Sequence, residues 1–288
     1  DKVPVNLRHW SKELDNLDSR LPHGSNLRTK CFKKNSEREI KALNQVLPQY
    51  FKLREVLKKP RSNLRADVAV SVKAAEKYLK FLRAQDKVFC HQSDFLSSVI
   101  PELFYSIFQK WIAKEKPIFS VETQKQIIIE CAFIPKERAI FKLKRVDVAV
   151  LLPCKLVVGK ETINDFSIPL IAIEVKTNLD KNMISGIEHA VSSLKKTFPL
   201  CRYFVLSEFA DFSVERQNYA GTAIDEVYVL RKMKRSVARK DGRLDPIVNE
   251  LCIEVVEDSI KHLRLIVQTK DNLKQRMRLG LLIGKKSE

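Results

Sequence analysis

One stretch constrains the fold of this chain more than any other. Residues Ile168 to Met183 read IPLIAIEVKTNLDKNM, an apolar run with a carboxylate and an ammonium two residues apart. Strand side chains alternate faces, so Ile171, Ile173 and Val175 point one way and Ala172, Glu174 and Lys176 the other. Glu174 and Lys176 therefore stand side by side on a strand too apolar to lie wholly in solvent, where two charges need partners or a purpose. Upstream, Lys142 to Leu152 reads KLKRVDVAVLL, a second apolar strand broken by one acid, Asp147. We expect Asp147, Glu174 and Lys176 to meet in space.

The residue types suit one chemistry. Asp147 and Glu174 offer hard anionic oxygens fit for Mg²⁺, and the Val175 carbonyl between them is available as a third protein ligand. A metal held there acidifies water and offsets charge on a phosphoryl group under attack, while Lys176 orients the water and stabilises the transition state. These parts suffice for phosphodiester hydrolysis. Acid-x-Lys triplets are common in a chain that is 31% charged, and Glu39-Ile40-Lys41 is another. That triplet falls on a helix pattern, where residues two apart do not face each other. A solvated sheet face with an ordinary ion pair is the competing explanation for Glu174 and Lys176. Asp67, in the echo RADVAV of the RVDVAV around Asp147, lacks a strand-borne Glu-x-Lys after it, so Asp147 is preferred.

Charge narrows the partner. Lys and Arg number 53 against 35 Asp and Glu, a net charge of +18 over 288 residues, which favours an anionic partner and nucleic acid first. The six cysteines are scattered with no metal-binding spacing, as for reduced thiols in a cytoplasmic protein. No apolar stretch approaches the roughly 18 residues of a membrane span.

Along the chain, residues 1 to about 34 show no sustained period and read as an irregular arm with basic residues. Ser36 and Glu39 form a capping box for a helix that Pro48 should bend or end. Further helices are expected over Asp67 to Arg83 and from Ser93 or Asp94 onward, so residues 1–115 read as a mainly helical portion with DNA-binding or subunit contacts. From 116 to 231 the pattern is strands, helix, strand, strand, a mixed sheet with a crossover helix capped by Asn178 or Asp180. Residues 232–288 hold a basic loop, a helix starting near Asp245 and a basic tail. The loop cluster Arg231, Lys232, Lys234, Arg235, Arg239, Lys240 and Arg243 is suited to tracking a phosphate backbone, though a merely solvated loop explains it as well. Gln217 and Asn218 are candidate base readers.

The run Lys144-Arg145-Val146-Asp147, then Ile171-Ala172-Ile173-Glu174-Val175-Lys176, then Lys181-Asn182-Met183 resembles the PD-(D/E)XK nuclease signature of BbvCI-like type II restriction endonucleases. Leu194-Lys195-Lys196, Tyr203-Phe204-Val205, Glu208 and the stretch Ile224 to Arg231 resemble the elements that follow in that family. The likeness spans roughly residues 95 to 235, with Val146 in place of the signature proline. It implies an α/β fold with a PD-(D/E)XK core, a mixed β-sheet flanked by helices. It further implies a Mg²⁺-dependent endonuclease that cuts double-stranded DNA at a short asymmetric sequence, working with a second related subunit or as a homo-oligomer. By the same analogy Asp147, Glu174 and Lys176 are catalytic, and Glu102 falls where many such nucleases place a further carboxylate on a helix, although an ordinary helix-surface acid is the commoner case. Two other readings stay open: a DNA repair or junction-resolving nuclease on the same core, and a DNA-binding subunit without catalysis.

Overall fold

The computed structural model describes residues 5–33, 35–85, 88, 93–113, 118–134, 138–158, 161–211, 221–266, 274 and 277–278. Gln217, Asn218 and most of the C-terminal basic tail lie outside them. At the centre is a five-stranded sheet of order β1-β2-β5-β6-β7. It is built from β1 (Ser120–Ile134), β2 (Arg138–Pro153), β5 (Ser167–Leu179), β6 (Arg202–Ala210) and β7 (Glu226–Val229), while β3 (Leu156–Val158) and β4 (Glu161–Ile163) form a small separate hairpin. The first three strands of the sheet pair antiparallel and the last three parallel. A parallel step needs a crossover, and between β5 and β6 helix Lys181–Thr197 supplies it, with Asp180 accepting from the Met183 N–H at 2.9 Å as its N-cap.

The sheet is covered on both faces. Ala149, Ala172, Tyr203 and Val205 pack under Ile184, Ile187, Val191 and Leu194 of the crossover helix. Val148, Val150, Ile171, Ile173, Val175, Phe204 and Leu206 pack on the opposite side against the N-terminal helices and Asn249–Ile266. The alternation expected along β5 is thus realised, with its apolar residues in one core and Ala172 in the other.

The N-terminal part holds α1 (Ser11–Asp15), α2 (Pro22–Cys31), α3 (Glu37–Lys58), α4 (Leu64–Ala84), α5 (Ser93–Ser97) and α6 (Val99–Phe108), with a π-helical turn at Gln109–Ala113. Three expectations change here. Residues 5 to 33 are not an irregular arm: Leu7, Leu14, Leu21, Leu27 and Cys31 are buried in the main core. Helix α3 has its capping box, with Ser36 Oγ and Glu39 bonding each other's backbone N–H, but it runs through Pro48 without ending. The proline deprives the Asn44 carbonyl of its helical donor, yet Leu43, Val46 and Leu47 before it and Tyr50, Leu53 and Leu57 after it hold one helix face on the core. Downstream, the basic stretch after β7 is partly helical, Arg235–Asp241, rather than a loop.

Helix α2 has no cap of its own, since Leu21 occupies the N-cap. Its first-turn N–H groups, His23 and Gly24, instead donate to Glu102 Oε2 on α6, each at 3.0 Å. Gly24 permits this approach, because a Cβ there would collide with the Tyr50 hydroxyl. That clamp sets α2 beside the sheet, where it forms one wall of the site.

Candidate active site

The ladder between β2 and β5 stops at the pair Val148–Ile173, and in the same register Asp147 and Glu174 are the next residues on each strand. The two acids thus stand at the fork where β2 leaves β5. Asp147 Oδ2 accepts from the Val175 N–H at 2.7 Å, which bridges the fork. On the other side, Gln124 of β1 lies between the pairs Thr123–Val148 and Lys125–Val146 and donates from Nε2 to Asp147 Oδ1 at 2.8 Å. Its φ of 50° puts a non-glycine residue in the left-handed region.

Glu174 is held more tightly. Lys176 Nζ lies 2.9 Å from its Oε1 and Lys144 Nζ 3.0 Å from its Oε2. The Tyr203 hydroxyl donates to Oε2 at 2.5 Å from the face of β6 that Ala172 and Glu174 share. Burial weighs most on this carboxyl and opposes its charge, but the Tyr203 hydrogen bond and the two ammonium groups outweigh it, leaving Glu174 below the usual carboxylate range. Asp147 goes the other way. Burial is its largest influence and lifts it above that range, the Glu174 charge adds to the lift, and the bonds from Val175 and Gln124 only oppose it. Tyr203, buried against Glu174, is pushed far up and keeps its proton. Two neighbouring carboxyls driven in opposite directions mark a place built for chemistry more often than for packing.

The groups open onto a cleft of about 540 Å³. Asp147, Glu174, Val175 and Lys176 line it from the sheet, Pro22, Ser25 and Asn26 from α2, and Pro101 from α6. The three residues expected to meet do meet. Glu102 is not brought there. It is 1% exposed, one oxygen takes the two α2 N–H groups, and the other takes the Tyr50 hydroxyl at 2.9 Å and Arg54 at 3.3 Å. With every lone-pair direction engaged inside the helical core, it is a helix clamp rather than a further site carboxylate. Asp67 is likewise occupied elsewhere, by Arg61, Lys110 and Trp111.

Of the basic cluster, Lys232, Lys234, Arg239, Lys240 and Arg243 are exposed and Arg235 is half-buried, all outside the cleft. Arg231 does not belong with them. It is fully buried, bonded to both oxygens of Glu76 and to Glu208, with Arg83 on the far side of Glu208. Gln124, Lys144 and Tyr203 had no role assigned from the sequence. Lys144 and Tyr203 lie in strings that resemble the nuclease family, but Gln124 carries no local signal at all.

Residues 158–271 match the family model of the Bpu10I restriction endonuclease. The resemblance to BbvCI-like type II restriction endonucleases holds. The matched segment contains Glu174 and Lys176 and begins after Asp147. Among solved structures, the native BbvCI A2B2 tetramer is similar at 24% identity, covering 88% of this chain and 99% of that one with a TM-score of 0.65. At that identity the likeness speaks for the fold: a mixed sheet flanked by helices, with a helical N-terminal part, as expected. The restriction endonuclease PspGI in complex with substrate DNA matches at 16% identity over 77% of this chain and 92% of that one, with a TM-score of 0.34, too distant to argue from. No curated protein matches the chain by sequence. Among the described residues, no helix is long and apolar enough to cross a membrane.

Proposed function

We propose that this chain is a cytoplasmic type II restriction endonuclease subunit that hydrolyses double-stranded DNA with Mg²⁺ at a short asymmetric site, one strand per subunit. The observation that carries the reading is the convergence of Asp147, Glu174 and Lys176 at one fork of the sheet, facing one cleft. The BbvCI relative assembles as an A2B2 tetramer. By analogy a second, related subunit is the partner of this chain, and the helical portion 1–115 is the part available for subunit or DNA contacts.

The donor set fits a hard divalent cation. Asp147 feels the repulsion of Glu174, and a nearby cation would offset it. Among the described residues no three His, Cys, Asp or Glu side chains converge, which leaves a backbone oxygen, that of Val175, as the further protein donor. Asp147, Glu174 and this carbonyl would hold such an ion, which would supply Lewis acidity and lower the pKa of a bound water. The chain does the rest. Gln124 and the Val175 N–H fix the Asp147 carboxylate, Tyr203 and Lys144 fix that of Glu174, and Lys176, one-third exposed, faces the phosphate with its charge. The exposed Lys232, Lys234, Arg239, Lys240 and Arg243, with half-buried Arg235, are the residues proposed to contact the DNA backbone.

Supercoiled plasmid incubated with the chain, its partner subunit and Mg²⁺ tests this. Sequence-specific nicking that disappears in Glu174→Ala supports it. Tight DNA binding without Mg²⁺-dependent cleavage, partner present, supports instead a subunit that has kept the fold and lost the reaction.

A further inference from the structure

A second concave site lies beyond the catalytic cleft, in the helical part. It is a cavity of about 720 Å³ between the segment joining α1 to α2, the C-terminal half of α3 and the end of α6. The segment between α1 and α2 is the wall between the two: Ser19 faces the cleft, while Asp18 and Arg20 face the cavity.

The walls of this cavity are cationic. Arg20, Arg54, Lys58, Arg61 and Lys110 line it. Their acids are already fixed within the protein: Asp18 pairs with Arg20 at 3.0 Å, and buried Glu102 with Arg54 at 3.3 Å. Fully buried Asp67 is shared by Arg61 at 3.0 Å and Lys110 at 2.6 Å. Lys58 is exposed and makes no ion pair among the described residues. Glu122 lies 4.0 Å from Arg20 as well, so five cations face four acids, an excess of one positive charge, carried by Lys58. Arg54 is itself nine-tenths buried and tied to Ser106 Oγ at 2.8 Å, so the floor of the cavity is rigid. Tyr105 and Trp111 add flat aromatic surface beside these charges. Convergent cations on a preformed floor, with the Lys58 ammonium unpaired among the described residues, suit an anion such as a phosphate group.

We propose that this cavity binds a phosphate group, held by Lys58, Arg61 and Lys110. Two sources carry that chemistry: a backbone phosphate of a DNA strand that leaves the cleft over the Asp18–Arg20 wall, and a free nucleotide. The first rests on the nuclease reading; the second does not.

The test needs no cleavage. Trp10→Phe leaves Trp111 as the only indole, since the chain holds two tryptophans. In that background, titration with inorganic pyrophosphate is expected to change Trp111 fluorescence saturably, and Lys58→Glu to weaken the response about tenfold. Circular dichroism and melting temperature check that the variant is folded. Duplex DNA binding, measured without Mg²⁺ across a salt series, separates the sources. If the phosphate belongs to DNA, Lys58→Glu lowers the slope of log Kd against log salt by about one, and a 5′-mononucleotide binds no better than pyrophosphate. If it belongs to a nucleotide, the mononucleotide binds more tightly than pyrophosphate and DNA affinity is unchanged. A fluorescence signal blind to pyrophosphate, or equal in Lys58→Glu and its parent, overturns the proposal while leaving plasmid cleavage, and with it the nuclease reading, untouched.

Discussion

Gln124 and Asp147 face each other across β1 and β2, and the glutamine reaches the aspartate at 2.8 Å only from a backbone with φ of 50°. A left-handed glutamine costs of order 1 kcal/mol, and here the bent backbone aims an amide donor at a site carboxylate. Gln124→Gly keeps that backbone and removes the donor, so cleavage is expected to fall about 10- to 100-fold with a melting temperature near that of the parent. Gln124→Val forbids the backbone as well and should lose a further ~1–3 kcal/mol of stability. Thermal melts beside plasmid assays read both; full activity in the glycine variant would sink the idea that Gln124 positions Asp147.

Two lysines reach Glu174, but only Lys176 lines the cleft. Lys176→Met is expected to slow cleavage by about 10²- to 10³-fold while DNA binding persists, as for loss of a transition-state contact. Lys144→Met acts only through the orientation of Glu174 and should cost roughly tenfold. Equal losses in single-turnover rates would mean that the roles of the two ammonium groups are not distinct.

Arg231, two residues past the end of β7, ties that segment to α4 through Glu76 and to β6 through Glu208, with its own side chain out of water. Arg231→Leu leaves two buried carboxylates short of their partner and should destabilise the chain by about 3–5 kcal/mol in urea unfolding. Lys232→Ala, one residue on and exposed, should change stability by no more than about 0.5 kcal/mol and weaken DNA binding at low salt. A stable, folded Arg231→Leu protein would remove the structural role assigned to this cluster.

His23 is buried between Tyr78, Ser98 and the Phe95 carbonyl, and burial pushes its pKa down to about 3. The folded chain keeps it neutral while the unfolded chain protonates it near pH 6.5, so its contribution is complete above pH 6.5 and fades as pH falls toward 3. The slope is about 1.4 kcal/mol per pH unit inside that window. Neighbouring Glu102, lifted by burial, acts in the opposite sense, because the folded chain takes up its proton first. Comparing His23→Asn with the parent in urea at pH 7, 6, 5 and 4 isolates the histidine: the gap between them should shrink as pH drops. A constant gap would contradict a neutral buried His23.

How much of this was legible beforehand depended on range. The alternation of Ile171 to Lys176, the Ser36–Glu39 box and the Asp180 cap are carried by residues within five positions of one another, and each took the expected form. Helix α2 did not, because its cap is Glu102, 78 residues from Gly24. The same distance hid the true role of Glu102, whose carboxylate reads as a helix-surface acid or a site acid until its four partners are in place. Arg231 looked like the first member of a basic run, and only the fold brings Glu76 to it, 155 residues away. Pro48 carries the local rule for a bend or a stop, and the burial on either side of it excludes the stop.

The fork between β2 and β5 ties the acids to strand pairing itself. A slip of one residue in β2 would turn Asp147 toward the opposite face, put a valine in its place and break the bond to the Val175 N–H. A misregistered sheet is therefore a sheet without a reaction centre. If the proposed reaction runs at this fork, catalytic competence certifies correct assembly of the strands, and a population of molecules titrated for activity is also a census of those that folded in register.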